Sequence, residues 1–413
     1  MPGELISIDE ARARVLAAAH PLPAETVSLG SALGRVLAEE VRSAEDLPPF
    51  DSSAMDGYAV ASPEGGELRV AGESRAGAPA SRPVAAGEAV AISTGALVPE
   101  GTAAVVPVER TRLHEGRVVA EAVADGANIR RAGEDVRAGQ LVLHLGTAIG
   151  PAEVAMLAQL GRPEVRCGAV PRVAVVVTGD ELVEPGQPLG PGQIRDSNAP
   201  ALAALATAAG ARVTSARRVG DDFAKTVEAL RAAIAEADVV CVSGGVSVGE
   251  HDHVKPALAE LSVEERFWGV ALKPGKPTWF GVAAGPAGGA GGAGDPTLVF
   301  GLPGNPVSAM VTFGLFARPA LDALRGAKPS RARVRARLEA PIRLSPRREQ
   351  AVRCRLTATD EGWRAEPTGA QGSHRISSML GADALILVPA GEGELAAGAP
   401  VEVEALPRGT VDA

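Results

Sequence analysis

Cysteine is nearly absent from this 413-residue chain. The three residues, Cys167, Cys241 and Cys354, lie far apart with no paired spacing. That excludes a disulfide framework and a cysteine-based zinc site, and it fits a reducing compartment. Aromatic residues make up only 3%, too few for the stacked rings with which a single-stranded nucleic-acid platform grips bases. Positive charge is short as well. The net charge of -9 is the wrong sign for bulk binding to nucleic acid or to an acidic membrane. No window holds the roughly 18 uncharged apolar residues of a membrane span. The N-terminus carries acids and arginines where a signal peptide needs an unbroken apolar core. The expectation is a soluble cytoplasmic protein with neither nucleic acid nor membrane as partner. Lysine is scarce too, at five of 41 basic residues, yet two of the five, Lys273 and Lys276, share one short loop.

What the chain has is core-forming residue and turn former. It is 46% hydrophobic and 22% charged, with 49 Gly and 32 Pro, which suits two to four folded domains joined by many turns. Ser7-Ile8-Asp9-Glu10 is a capping-box pattern that predicts a helix over 8–19. A second short helix is expected within 24–42. From 45 to 140, short apolar pieces (67–71, 89–92, 103–108, 117–120) alternate with Gly, Pro and Asp, the texture of a small β domain. PAEVAMLAQL (151–160) predicts a helix with Pro in its first turn and Gly161 past its end. Residues 1–44 and 141–171 are expected to form one discontinuous linker domain around the inserted β domain.

Residues 172–327 read as α/β. Strands are expected at 172–178, 211–219, 238–243, 265–272 and 297–302, with helices near 198–209, 223–237, 253–261 and 305–323. Near-continuous apolar strands alternating with helices indicate a parallel sheet covered on both faces. Residues 328–413 return to short β segments (331–339, 350–357, 384–388, 400–405) and are expected to form a separate barrel. AAGPAGGAGGAGDP (283–296) cannot build a core and reads as a surface insertion.

In open α/β sheets, ligands bind beyond the carboxyl ends of the strands. Here each expected end carries a polar, glycine-rich turn: Thr178–Leu182, Ser243–Asp252, Lys273–Pro277 and Pro303–Pro306. Gly244, Gly245 and Gly249 let backbone N–H groups approach an anion. The helix start at Asn305 offers free N–H groups and a positive dipole end. Lys273 and Lys276, stiffened by Pro274 and Pro277, present point charges to phosphate. Glu181 and Asp252, on neighbouring turns, form the carboxylate pair that would hold Mg²⁺ beside a bound phosphate. His251 and His253 flank Asp252, but without a third ligand at metal spacing they read as solvated loop histidines. Neither a G-x-S-x-G elbow nor a Walker P-loop is present.

Taken together, the motifs resemble the molybdopterin molybdenumtransferase family, which includes bacterial MoeA and the E domain of gephyrin. They are PPFDSSAMDGYAV (48–60), STGALVPEG (93–101), NIRRAGEDV (128–136), TGDEL (178–182), GQIRDSN (192–198), SGGVSVGEHD (243–252), LKPGKP (272–277), GLPGNPVSA (301–309) and QGSHRISSM (371–379), and they run in family order along nearly the whole chain. The resemblance implies a multidomain α/β-plus-β subunit: helical linker domain, inserted β domain, molybdopterin-binding α/β domain and C-terminal β-barrel. It implies a homodimer with the site between the α/β domain of one subunit and the inserted β domain of the other. The implied reaction inserts molybdate into adenylylated molybdopterin, releasing AMP with Mg²⁺, downstream of a molybdopterin adenylyltransferase as partner.

Carried over by motif, the catalytic positions are Asp56, Glu181, Asp252, Lys273 and Lys276. The substrate-binding positions are Thr94, Asp135, Asp221, Ser243, Gly244, Gly245, Ser247, Gly249, Pro303, Asn305, Arg353 and Ser373, and Arg353 and Ser373 would hold molybdate. The chain departs from relatives at Ser52, where Asn is frequent, and at Gly269, where some carry Lys. Three alternatives stay open: the adenylyltransferase itself, which uses a similar α/β domain alone, a tungstate-specific paralogue, and a non-catalytic scaffold.

Overall fold

A computed structural model describes residues 5–246, 252–285, 295–328 and 333–406. The chain divides into two compact units, one of residues 39–145 and 152–163, the other of residues 1–38, 146–151 and 164–413.

The smaller unit is built on a six-stranded sheet in the order Ala104–Pro107, Gly57–Val60, Glu88–Ile92, Gly66–Ser74, Arg117–Ala120, Thr111–His114. Side chains alternate across a strand, and here both faces are buried. Ala59, Val90 and Val105 feed one core, while Val60, Ala89, Ala104 and Val106 feed the other. Ser52–Ser53 pairs antiparallel with Ile129–Arg130, and Ser52 bridges to Leu97. Three sequence-distant segments are thereby drawn together. The helix Pro151–Gln159 ends ahead of Gly161, whose φ of +70° is the left-handed cap that glycine supplies most cheaply.

In the larger unit, Ser7 caps the helix Ile8–Ala18 by accepting the Glu10 N–H at 3.1 Å. Of the helix expected within 24–42 only a single 3-10 turn, Leu29–Ser31, forms. Ala24–Ser28 is instead a strand, paired antiparallel with Glu164–Gly168. That partner lies some 140 residues away in sequence, so local periodicity carries no trace of it.

The α/β sheet has the order Arg212–Val219, Arg172–Thr178, Val239–Ser243, Thr297–Leu302, Trp279–Ala283, Glu264–Trp268. The first four strands are mutually parallel, as the sequence predicts. Val173 to Val177 are buried along the whole second strand, and at about 1.5–3 kcal/mol per large apolar side chain such strands dominate the core. Asp222 accepts the Lys225 N–H at 2.8 Å to start the helix Phe223–Glu236, whose Thr226, Val227, Leu230 and Ala233 face the sheet.

The far side of the sheet differs from expectation. The strand expected at 265–272 stops at Trp268, and an additional strand, Trp279–Ala283, runs antiparallel to both neighbours. Leu272–Lys273 leaves this sheet and pairs with Glu349–Gln350. The physical reason is Gly269, with φ +87°, which turns the chain away. Because the two strands form a hairpin, the loop 269–278 still lies at the carboxyl edge of the parallel strands.

The helical run Pro306–Leu324 is apolar and long enough to cross a membrane, but 67% of its most apolar window is buried in the protein's own core. The C-terminal strands Glu349–Thr359, Gly362–Pro367, Arg333–Leu338, Pro400–Ala405 and Ala384–Val388 pair in sequence around a ring, and the last pairs back to the first. This is the expected closed barrel, filled by Leu338, Val352, Cys354, Ala365, Ile386 and Val403. Arg12, on the N-terminal helix, reaches the barrel and grips Glu404 with both terminal nitrogens, Nη1 at 2.7 Å.

Candidate functional site

The carboxyl edge of the parallel strands carries the predicted residues in a row. Asp221 follows the edge strand, Glu181 the next, Ser243 to Gly245 the third, and Pro303 and Asn305 the fourth. Asp180 and Asp221 tie the first two turns together: Asp180 accepts the Asp221 N–H at 3.0 Å. The Glu181 carboxylate folds back over Gly179, in the space a Cβ there would take, and stays exposed. Asp252 lies just before the helix Val254–Glu260. Ser247, Gly249 and His251 lie outside the described residues.

Gly244 and Gly245 have φ of +95° and +64°. A Cβ on Gly244 would stand 2.8 Å from both Thr178 O and Thr178 Oγ1, so only glycine lets the third strand's turn press against the end of the second. Asn198 fastens the turns from behind. Its Nδ2 donates to Ser243 Oγ at 2.9 Å and to Gly304 O at 2.7 Å. Ser243 Oγ in turn donates to Pro303 O at 3.1 Å. Asp196 holds Asn198 in place by accepting the N–H groups of Asn198 and Ala199. Trp268 Nε1 donates to Val246 O at 3.0 Å, and Lys255 Nζ lies 4.5 Å over the Trp268 ring, a cation–π contact. These positioning residues were missed in the sequence. GQIRDSN held a signal for Asn198, but nothing in the stretch Phe267-Trp268 marks Trp268 as a prop.

The helix start at Asn305 differs from the expectation of free N–H donors. Pro306 has no N–H, and the Val307 N–H is spent on Ser373 O at 3.2 Å. What this contact does instead is bring the 371–379 segment of the barrel against the α/β edge.

The two loop lysines also separate. Lys273 lines a cavity of about 440 Å³ with Arg343, Gln350, Arg353, Gln371 and Gly372, whereas Lys276 is exposed outside it. Gly372 lines the cavity; the neighbouring Ser373 does not. Arg353 has 0% exposure. Its Nε and Nη2 donate to Ser378 Oγ at 3.2 and 3.0 Å, Nη1 has no partner, and no carboxylate pairs with it among the described residues. Burial pushes its pKa down to about 10. Arg353, with its spare buried donor, lines a cavity whose described lining holds three cations and no acid, a setting that favours an anion.

In the smaller unit, Asp56 Oδ1 accepts the Thr94 N–H at 2.7 Å and the Thr94 Oγ1 hydroxyl at 3.1 Å, so these two predicted residues touch. Asp135 sits on a turn whose N–H donates to Leu47 O at 3.0 Å. Nearby, the Ala132 N–H and Arg131 hold the Asp51 carboxyl below its ordinary pKa.

Mg²⁺ binds hard oxygens, commonly one or two carboxylates with phosphate and water completing the shell. Glu181 and Asp252 fit that donor set. Among the described residues no three His, Cys, Asp or Glu side chains group closely enough to hold an ion unaided, so an ion here would need oxygens from the substrate.

Fold and site define a class: a multidomain α/β protein with a glycine-lined sheet edge and, beside it, a cavity whose described lining is cationic. Comparison with known proteins narrows this. Residues 6–161 match the MoeA N-terminal region (domain I and II), residues 174–323 a probable molybdopterin binding domain, and residues 335–406 the MoeA C-terminal region (domain IV). A molybdopterin molybdenumtransferase of Haemophilus influenzae is 36% identical over 97% of this chain and 98% of its own. Molybdopterin molybdenumtransferase 2 of Mycobacterium tuberculosis is 37% identical over 95% and 96%. The crystal structure of a molybdopterin biosynthesis MoeA protein from Pyrococcus horikosii superposes with a TM-score of 0.81, at 31% identity, covering 98% of this chain and all of that one. The chain belongs to the MoeA family of molybdopterin molybdenumtransferases.

Proposed function

We propose that this chain is a molybdenum insertase, a transferase of molybdenum cofactor biosynthesis that places molybdenum from molybdate into adenylylated molybdopterin and releases AMP. The observation that carries this reading is the cavity holding Lys273 and the buried, carboxylate-free Arg353, set beside the carboxyl edge of a domain that matches a probable molybdopterin binding domain. A tetrahedral dianion supplies the counter-charge that Arg353 lacks, and the Gly244–Gly245 turn receives the phosphates of the pterin nucleotide. Lys276, exposed on the same loop, neutralises those phosphates from outside the cavity. Ser373 keeps the Gln371–Gly372 side of the cavity in place through its carbonyl contact with Val307, and Gly372 faces the oxyanion.

Glu181 and Asp252 would hold Mg²⁺ beside the bound phosphates. When bound, the ion neutralises charge developing on the leaving phosphate, so positioning supplies most of the catalysis. Asp221 and Asp135 orient polar groups of the nucleotide, and the Asp56–Thr94 pair orients the water or phosphate at the scissile bond.

In this reading the protein is a cytoplasmic homodimer, and Asp56 serves the α/β edge of the partner subunit. The exposed apolar side chains Phe50 (40%), Met55 (40%) and Leu97 (38%) belong to the same two motif strings as Asp56 and its partner Thr94 and support a surface that assembly covers. A molybdopterin adenylyltransferase supplies the substrate.

The test is direct. Purified protein is given adenylylated molybdopterin, Mg²⁺ and molybdate, and AMP is measured alongside active cofactor. Both should appear together. Consumption of ATP with unadenylylated molybdopterin would instead identify the adenylyltransferase, and turnover with tungstate alone the tungstate-specific reading.

A further inference from the structure

Arg343 stands outside every motif of the sequence, on the short strand Ile342–Arg343, yet it lines the same cavity as Lys273 and Arg353. Among the described residues it makes no ion pair. Its placement is not loose. Gln350, only 7% exposed, donates its side-chain Nε2 to Arg343 O at 3.0 Å, and its backbone sits in register with Lys273. One buried glutamine therefore anchors the backbone of Arg343 through its side chain and pairs with Lys273 through its main chain, on the wall of the cavity that holds the third cation.

We propose that Arg343 is a further binding and specificity residue for the oxyanion, and that Gln350 is its positioning residue. This rests on the reading of the cavity as the molybdate site. The physical argument is charge counting. A single buried guanidinium balances one negative charge and does little to separate a dianion from a monoanion of the same shape. Three cations without a carboxylate favour the dianion, because each added cation contributes in proportion to the ligand's charge. Arg343 is exposed at the cavity, so its contribution is screened by salt, and what remains falls about twice as heavily on a dianion as on a monoanion. It therefore sets the preference for doubly charged tetrahedral oxyanions.

The test uses titration calorimetry of the full-length protein with sodium molybdate and with sodium perrhenate, a tetrahedral monoanion of similar size. The wild type should bind molybdate more tightly. Arg343→Gln should lower the molybdate-to-perrhenate affinity ratio about tenfold, and Arg343→Lys should keep most of it. Gln350→Leu should lower the ratio by a smaller factor, since Arg343 remains but its backbone loses the side-chain anchor. A ratio unchanged in Arg343→Gln, while Arg353→Met abolishes binding, overturns the role of Arg343 and leaves the cavity as the molybdate site. Binding unchanged in both variants, or absent from the wild type, overturns the cavity reading and this inference together.

Discussion

Arg353→Met separates a residue waiting for a ligand from one that braces the fold. In the wild type the guanidinium is fully buried, and burial moves its pKa from the ordinary arginine value down to about 10. At 1.36 kcal/mol per pH unit that corresponds to a penalty of about 3 kcal/mol for keeping the charge inside. Against it stand the two hydrogen bonds to Ser378 Oγ, worth about 1 kcal/mol each. The contact with Gly372 O, at 3.5 Å, is too long to count for much. Methionine removes penalty and bonds alike, so without an oxyanion the variant should lie within about 1 kcal/mol of wild type.

With molybdate at a hundred times its Kd, the wild type should gain about 2.7 kcal/mol by linkage and the variant nothing. The sign with pH follows from the lowered pKa. The unfolded chain holds the proton more tightly, so stability rises with pH only above about 10; below 10 the penalty is constant, and the difference between variant and wild type should not change from pH 6 to 9. Hydrogen exchange of the amides in 349–359 and 384–388 reads the local opening free energy of the barrel. A loss of 3 kcal/mol or more in the ligand-free variant, the scale of a broken buried ion pair, would refute the reasoning and make Arg353 a structural keystone.

Other consequences are equally open to measurement. Burial raises the pKa of Glu404, but the hydrogen bonds and charges of Arg12 and Arg333 outweigh it and hold the carboxyl low. Its contribution is therefore full above the ordinary carboxylate pKa and fades as pH falls through the depressed folded value. Glu404→Gln should cost about 3 kcal/mol at pH 7, read as lost exchange protection in the helix Ile8–Ala18, and the deficit should shrink in acid. Gly244→Ala forces a Cβ into Thr178 at φ +95°. It should add about 1–2 kcal/mol of local strain and weaken pterin binding, followed by pterin fluorescence, at least tenfold while the barrel stays intact. Asp252→Ala should stop AMP release in the purified reaction, and ordinary turnover would remove Asp252 from the mechanism.

The parallel strands were legible because burial on both faces leaves a signature that needs no partner to read: RVAVVVT and TLVFGL are continuous apolar runs. The helix Phe223–Glu236 was legible through its cap and its apolar period. Gly362–Pro367, GWRAEP, was not. It has little apolar content of its own and becomes a strand because the barrel must close across it. Ala24–Ser28 failed for the same reason, its partner being remote. The motif strings located the edge of the site, but Asn198 and Trp268 hold that edge through contacts that span the sheet.

By itself, then, the order of residues determined which turns carry glycine, acid and lysine, and that the glycine and acid turns follow four parallel strands, since these are properties of local pattern. Only the folded chain decided that Lys273 faces a cavity and Lys276 does not, that the Val307 N–H is already spent, and that Arg353 is buried without a counter-charge. Burial and pairing are set by segments far apart in sequence, and the cost of an unbalanced charge exists only once those segments have closed around it.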